Sequence, residues 1–317
     1  MAGGQMVVAV DVGGTTTRLA LVSGDELRGR TVLATVRGEG LGNALGAAIA
    51  DLVAREGVPK SEVAAVGVSI PGPLDADRRR VVFTGNVSLF DYALADHLER
   101  IVGLPVVMDD DANCAALGEV ERGAALGARV AVLIVVGTGI GAGIVVDGRL
   151  YRGAHSVAGE VGHINLDPAG PRCSCGDYGC FEALASGSAL ADRGRAAVRQ
   201  GTAPLLSDLA GDDLNAIDAE TVVEAAAQGD AGAVAALEVT GGYLARGIAA
   251  VANAFDPDVI VLGGGLGRTA AMLEWARRGV KEHCIAPIDR LVRVETALLG
   301  DDAGLWGAGL LARGRAG

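Results

Sequence analysis

Residues 7–27, VVAVDVGGTTTRLALVSGDEL, lie without a gap on residues 130–150, VAVLIVVGTGIGAGIVVDGRL. Each copy is an apolar, β-branched run, a glycine-threonine corner and a second apolar run, which reads as strand, turn, strand. Gly14-Thr15 falls on Gly137-Thr138, followed by Gly139. Two such units predict a duplicated α/β fold gripping one polyphosphate between its halves. Glycine lets a ligand approach the backbone, so the amides of Gly13 and Gly14 and the hydroxyls of Thr15 and Thr16 can cradle a phosphate. A single corner of this kind would be no more than a hairpin turn. Asp11, closing the first strand, is placed to orient Mg²⁺ through water. Its counterpart in the second copy is Ile134, so that role belongs to one half.

Between the copies, Leu45, Ile49, Leu52 and Val53 give residues 42–55 one apolar helical face. Residues 63–70 read as a buried strand broken by the rigid turn Pro71-Gly72-Pro73-Leu74-Asp75. Gly85-Asn86-Val87 is a second loop, 92–102 a helix and 105–108 a strand. That strand runs into Asp109-Asp110-Asp111-Ala112-Asn113 ahead of a small-residue helix at 114–123. Carboxylates are favoured at a helix N-terminus, which is one reading. The other is a general base, because adjacent acids and burial raise a carboxyl pKa toward the range useful for taking a hydroxyl proton.

Beyond the second copy, residues 159–182 read GEVGHINLDPAGPRCSCGDYGCFE. His163, Cys173, Cys175 and Cys180 have the number and softness of ligands for a structural, tetrahedral Zn²⁺ site. Gly176 and Gly179 let the backbone wrap so that the thiolates converge. Cys114 and Cys284 read as ordinary thiols. A His163 fixed through one nitrogen can present the other to a ligand, with Glu160 and Glu182 beside it as hydroxyl acceptors. Residues 183–199 and 219–253 are helical in pattern, and 201–217 reads as a polar surface loop. A strand at 258–262 enters Gly263-Gly264-Gly265-Leu266-Gly267, where a base or ribose can lie against backbone. A helix near Thr269, a strand at 293–297 and a helix at 303–313 follow.

With 317 residues the chain has room for two domains. Only 3% are aromatic, so the cores must be built from Ala, Val, Leu and Ile. A net charge of −12 argues against a nucleic-acid surface. No signal peptide is legible in residues 1–6, and no apolar run reaches membrane length. Thiols on a metal and an odd cysteine count point to the cytoplasm.

Asp11-x-Gly-Gly-Thr15, Pro71-Gly72, Asp111-Ala-Asn113, Gly137-Thr138-Gly139, Glu160-x-Gly-His163, Cys173-x-Cys-Gly-x2-Gly-Cys180-x-Glu182 and Leu262-Gly-Gly-Gly265 together resemble the ROK family of sugar kinases and sugar-responsive repressors, along essentially the whole chain. The resemblance implies an actin-like ATPase (duplicated ribonuclease H-like) fold of two α/β lobes with a central cleft. Residues 1–110, completed by the C-terminal helix at 302–317, would form the smaller lobe. Residues 111–301 would form the larger, with the zinc loop and the contacts of a homodimer or homotetramer. It implies ATP across the glycine turns, Gly264 and Gly265 included, with Asp111 as catalytic base for the 6-hydroxyl of a hexose. Glu160, His163 and Glu182 would bind the sugar, joined by Gly72, Asn86 and Asp110. Family members usually carry Asn where this chain has Asp110. A carboxylate only accepts and prefers a cation, so an amino-hexose such as kanosamine, or a cyclitol, stands as an alternative to glucose. A repressor would need a basic winged helix ahead of the first strand, where this sequence shows six residues. A non-catalytic sensor is disfavoured by the presence of both Asp11 and Asp111.

Overall fold

A computed structural model describes residues 6–314. In chain order its elements are β1 (Met6–Val12), β2 (Thr16–Ser23), β3 (Glu26–Ala34), α1 (Gly40–Arg55), β4 (Val63–Ile70), β5 (Val81–Thr84), β6 (Leu89–Tyr92), α2 (Leu94–Val102), β7 (Val106–Asp110) and α3 (Asp111–Arg122). There follow β8 (Val130–Val136), β9 (Ile140–Val146), β10 (Arg149–Leu150), α4 (Phe181–Ala185), α5 (Gly187–Arg199), α6 (Pro204–Leu209), α7 (Ala219–Ala227) and α8 (Ala231–Phe255). β11 (Val259–Gly263), α9 (Ala270–His283), α10 (Ile288–Leu291), β12 (Arg293–Thr296) and α11 (Ala303–Ala312) complete the chain.

The two large sheets run β3-β2-β1-β4-β7 and β10-β9-β8-β11-β12. Numbered within each sheet, both have the order 3-2-1-4-5, the repeated unit of the actin-like ATPase fold that the family resemblance implies. By contact the chain divides into a first unit, Met1–Arg129, Gly143–Gly159 and Leu298–Gly317, and a second, Val130–Ala142 and Glu160–Ala297. The first therefore holds α3 and residues 143–159 in addition to the expected 1–110 and the C-terminal helix. Residues 315–317 of that expected helix lie outside the described residues.

In the first unit β1 is antiparallel to β2 and parallel to β4, and β4 is parallel to β7. A strand buried on both faces reads as a continuous apolar run, because alternate side chains serve opposite layers. Val8, Val10 and Val12 share one core with Leu45 and Ile49 of α1 and Leu94 and Leu98 of α2. Val7 and Ala9 share another with Leu305, Trp306 and Ala308 of α11. A chain poor in aromatic bulk lets backbones touch instead. A Cβ at Gly67 of β4 would strike the Ala308 carbonyl, and one at Gly307 the Cys114 carbonyl. Cys114 is fully buried, and burial pushes its thiol well above the ordinary range.

Three expectations are corrected. The β5–β6 hairpin stands between 81 and 92, where only a loop was legible. Residues 201–217 contain α6, and the two long helical patterns are each broken, at Ser186 and at Gly229-Asp230. Against the expectation that no apolar segment reaches membrane length, α8 is long and apolar enough. Half of its most apolar window is buried within the structure, the pattern of a core helix.

Adjacent glycines in α8 have opposite environments. A Cβ at Gly241 would enter the Trp275 ring, whereas one at Gly242 meets nothing within 4 Å. Gly241→Ala is expected to cost about 1–3 kcal/mol by overpacking, and Gly242→Ala to gain up to about 1 kcal/mol of helix propensity. Urea denaturation of both variants checks the pair, and like signs would contradict this packing.

Candidate functional site

In the first unit the β1–β2 corner is closed by Gly13 N–H donating to the Thr16 carbonyl at 2.9 Å. Thr35 secures it from β3's end, its N–H donating to Thr15 O at 2.9 Å and its hydroxyl to Gly13 O at 2.8 Å. Thr15 stays exposed. A Cβ at Gly14 would sit 3.5 Å from Cβ of Asn86, so the corner and the Asn86 loop lie side by side. Asp11 Oδ1 accepts from Ser69 Oγ at 2.7 Å. Burial pushes its carboxyl above the ordinary range, while the Ser69 bond and the Arg18 charge pull it down. Gly304 of α11 makes its room, since a Cβ there would strike the carboxylate.

The three consecutive aspartates have three environments. Asp109, its side chain 3% exposed, accepts from Arg152 Nε at 2.7 Å and from Asn113 Nδ2 at 2.9 Å. Asp110 caps α3: one oxygen accepts from Ala112 N–H at 3.0 Å, the other from Gly72 N–H at 3.3 Å. Gly72 has φ +104 and lies against the Phe83 carbonyl, so no other residue fits that turn. Asp111 opens the helix and is exposed. The acid that burial was expected to perturb is thus not the buried one; β7 sends Asp109 inward and the helix start turns Asp111 out. Arg152, which sequence reasoning passed over, completes the corner from a distant loop.

In the second unit one ligand atom each from His163, Cys173, Cys175 and Cys180 lies within 4.8 Å of every other. Cys175 and Cys180 sulfurs are 3.7 Å apart, and Cys173 Sγ is 3.6 Å from His163 Nδ1. A tetrahedral ion with bonds of about 2.3 Å to sulfur and about 2.0 Å to nitrogen sets those spacings at about 3.8 and about 3.5 Å, so these two pairs fit zinc. No disulfide links the described cysteines. Gly176 (φ +100) and Gly179 (φ +64) make the turns, and a Cβ at Gly179 would collide with the Asp167 carbonyl. Burial and the facing thiols push Cys180 up to about 12, whereas the Asp177 amide pulls Cys175 down. A cation among the sulfurs removes the penalty on their charge.

His163 turns Nδ1 to the thiols and Nε2 toward Glu160, at 3.8 Å from its Oε2. That gap is too long for a hydrogen bond, and both side chains are open to solvent. Glu182 differs from the expectation of a free acceptor: Oε2 takes the Ile140 N–H at 2.9 Å and Oε1 the Ser174 hydroxyl at 3.1 Å.

Beside the second glycine corner is a cavity of about 490 Å³ lined by Gly137, Thr138, Gly187, Ser188, Arg195, Asp218, Glu220 and Gly265, among others. Gly187 N–H donates to Gly137 O at 2.7 Å, which brings the N-terminus of α5, capped by Ser186, to the corner. Amide donors and a helix dipole there favour an anion. Gly264 (φ +78) docks on the end of β8, where a Cβ would approach the Val136 carbonyl at 2.5 Å. Sequence reasoning found the glycines and missed Ser188, Arg195, Asp218 and Glu220. Only the capping serine and the aspartate before α7 signal that two helices start here.

The ROK family profile matches residues 7–315. A glucokinase of Halalkalibacterium halodurans is 35% identical over 315 residues, covering 96% of this chain and 94% of its own. An N-acetylmannosamine kinase of Citrobacter koseri is 36% identical over 311 residues, covering 97% and 98%. The structure is similar, with a TM-score of 0.83, to a Streptomyces griseus ROK family glucokinase in complex with glucose and AMPPNP; the two are 36% identical over 98% of this chain and 99% of that one.

Removing Arg152 leaves the buried Asp109 without its closest cation. Arg152→Ala is expected to cost about 3 kcal/mol, and Asp109→Asn in the same background to recover part of it. Chemical denaturation of the single and double variants checks this; a loss under about 1 kcal/mol would contradict a buried pair.

Proposed function

Because this chain belongs to the ROK family and is similar along its length to sugar kinases, we propose that it transfers the γ-phosphoryl of ATP to the 6-hydroxyl of glucose. The observation that carries this reading is the exposed carboxylate of Asp111 at the first position of α3. It directly follows the Asp110 cap, at the exposed start of the helix. Asp111 takes the proton of the 6-hydroxyl as that oxygen attacks phosphorus in line. Glu160 and the Nε2 face of His163 receive ring hydroxyls, and the distance between them leaves room for an oxygen that bridges both.

The cavity at Gly137, Gly187 and Gly265 takes the nucleoside, and the Gly137–Gly139 corner beside it offers amides to its phosphates. Asp11 would hold Mg²⁺, which supplies neutralisation of the phosphate charge; a half-buried acid whose ionisation is disfavoured fits a cationic partner. His163, Cys173, Cys175 and Cys180 would hold a structural zinc that fixes the imidazole's direction.

Asp110 bears on the choice of sugar. Both its oxygens already accept a backbone N–H, from Ala112 and Gly72, so the carboxylate does not depend on a cationic substrate. That favours glucose over kanosamine.

Coupled ADP release with glucose, kanosamine, N-acetylmannosamine, mannose and fructose tests the reading. Glucose is expected to lead in kcat/KM by about tenfold or more, and Asp111→Asn to lower kcat by about 10²–10⁴ with zinc and melting temperature retained. Kanosamine or N-acetylmannosamine in first place would displace glucose, and near-normal turnover in Asp111→Asn would remove Asp111 from the base role.

A further inference from the structure

We propose that Glu182 is a positioning residue that ties the metal loop to the Gly137–Gly139 corner, so that metal occupancy sets nucleotide affinity. The proposal rests on the reading above that this corner holds the donor's phosphates. Glu182 follows the ligand Cys180 by two residues, and its two oxygens reach in opposite directions. Oε1 accepts at 3.1 Å from the hydroxyl of Ser174, the residue between the ligands Cys173 and Cys175. Oε2 accepts at 2.9 Å from the N–H of Ile140, the residue that closes the corner. Gly139 is the glycine that permits this approach, because any Cβ there would enter the carboxylate.

A second contact falls on the same residue. Gly162, next to the ligand His163, packs against the Ile140 carbonyl so closely that a Cβ would overlap it. Ile140 is therefore bonded at its N–H by one arm of the metal loop and closely packed at its C=O by the other. The other end of the corner is the nucleotide cavity, where Gly187 N–H donates to Gly137 O at 2.7 Å and Ser188 N–H to Thr138 O at 3.4 Å. Between residues 159 and 180 the chain has one 3-10 turn and no longer helix or strand; turn and bridge hydrogen bonds such as Leu166 N–H to Gly179 O at 2.8 Å shape it, and a bound ion would join its two arms through His163 and the three thiols. Freeing the four ligands frees Ser174 and Gly162, and with them both holds on Ile140. Linkage then requires the reverse: bound nucleotide must retard loss of the metal by the same equilibrium factor.

The test combines hydrogen exchange of peptides spanning 137–141 with titration of a fluorescent ADP analogue, on zinc-loaded and chelator-treated protein. Zinc removal is expected to raise exchange at Ile140 and weaken the analogue about tenfold, with recovery on adding zinc back. Ser174→Ala keeps all four ligands and an intact fold; it is expected to retain one zinc and weaken the analogue about twofold to threefold, within the span of one hydrogen bond. Saturating analogue should reduce zinc transfer to a chelator by the same factor as zinc removal weakens the analogue. The tie is overturned if exchange at 137–141 is unchanged while residues 159–182 lose protection. It is overturned equally if Glu182→Gln moves only the KM for glucose, as a simple sugar contact would. If exchange at the corner follows zinc but no nucleotide binds the loaded protein, the tie stands and the ATP reading falls.

Discussion

Four ligand atoms gathered within 4.8 Å sit in a stretch of chain built from turns and two short bridges rather than long helices or strands. A structural zinc contributes on the order of 10 kcal/mol to the fold that binds it, against about 1 kcal/mol for an ordinary hydrogen bond. An ion held by these four ligands would therefore contribute more to the placing of residues 159–182 than any one of their hydrogen bonds. Phe181 then plants the loop's end in the second unit, its fully buried ring filling the notch that Gly247 leaves in α8. From that base His163 and Glu160 face solvent, and Glu182 faces back to the glycine corner.

The first unit solves a different problem with the same economy. One edge of it is a helix N-terminus, where α3 begins at Asp111 and a neighbouring acid caps it. Three carboxylates in a row would repel one another in one environment. They are tolerated because Asp109 goes to Arg152, Asp110 to two amides, and Asp111 to solvent. The three acids are thus separated by environment: one buried on an arginine, one capping the helix and one exposed at its first position.

Much of this was legible in the residues. The strand at 63–70 has the bounds its apolar run predicts, and the two glycine-threonine corners mark the start of two sheets of one order. The thiols at 173, 175 and 180 announce their own convergence, because no core packing asks for them at that spacing. What stayed hidden depends on contacts remote in sequence. Nothing around Glu119 shows that it is buried and receives N–H groups from Ala124, Leu298 and Leu299, the last two about 180 residues away. Glu182 looks like a loop acid until Ile140, 42 residues earlier, is placed against it. The β5–β6 hairpin escapes because its strands have four residues each and leave Phe83 and Phe90 exposed, so no alternation of buried positions marks them.

The central claim is that a metal ion, rather than packing alone, fixes the loop that carries His163. Native mass spectrometry of the purified chain with cysteine alkylation before and after chelation tests it most directly. One zinc per chain, with Cys173, Cys175 and Cys180 protected until the metal is removed, is the result the account predicts. A metal-free chain whose Cys175 alkylates at the rate of an open thiol, with catalysis and fold unaffected, would contradict it.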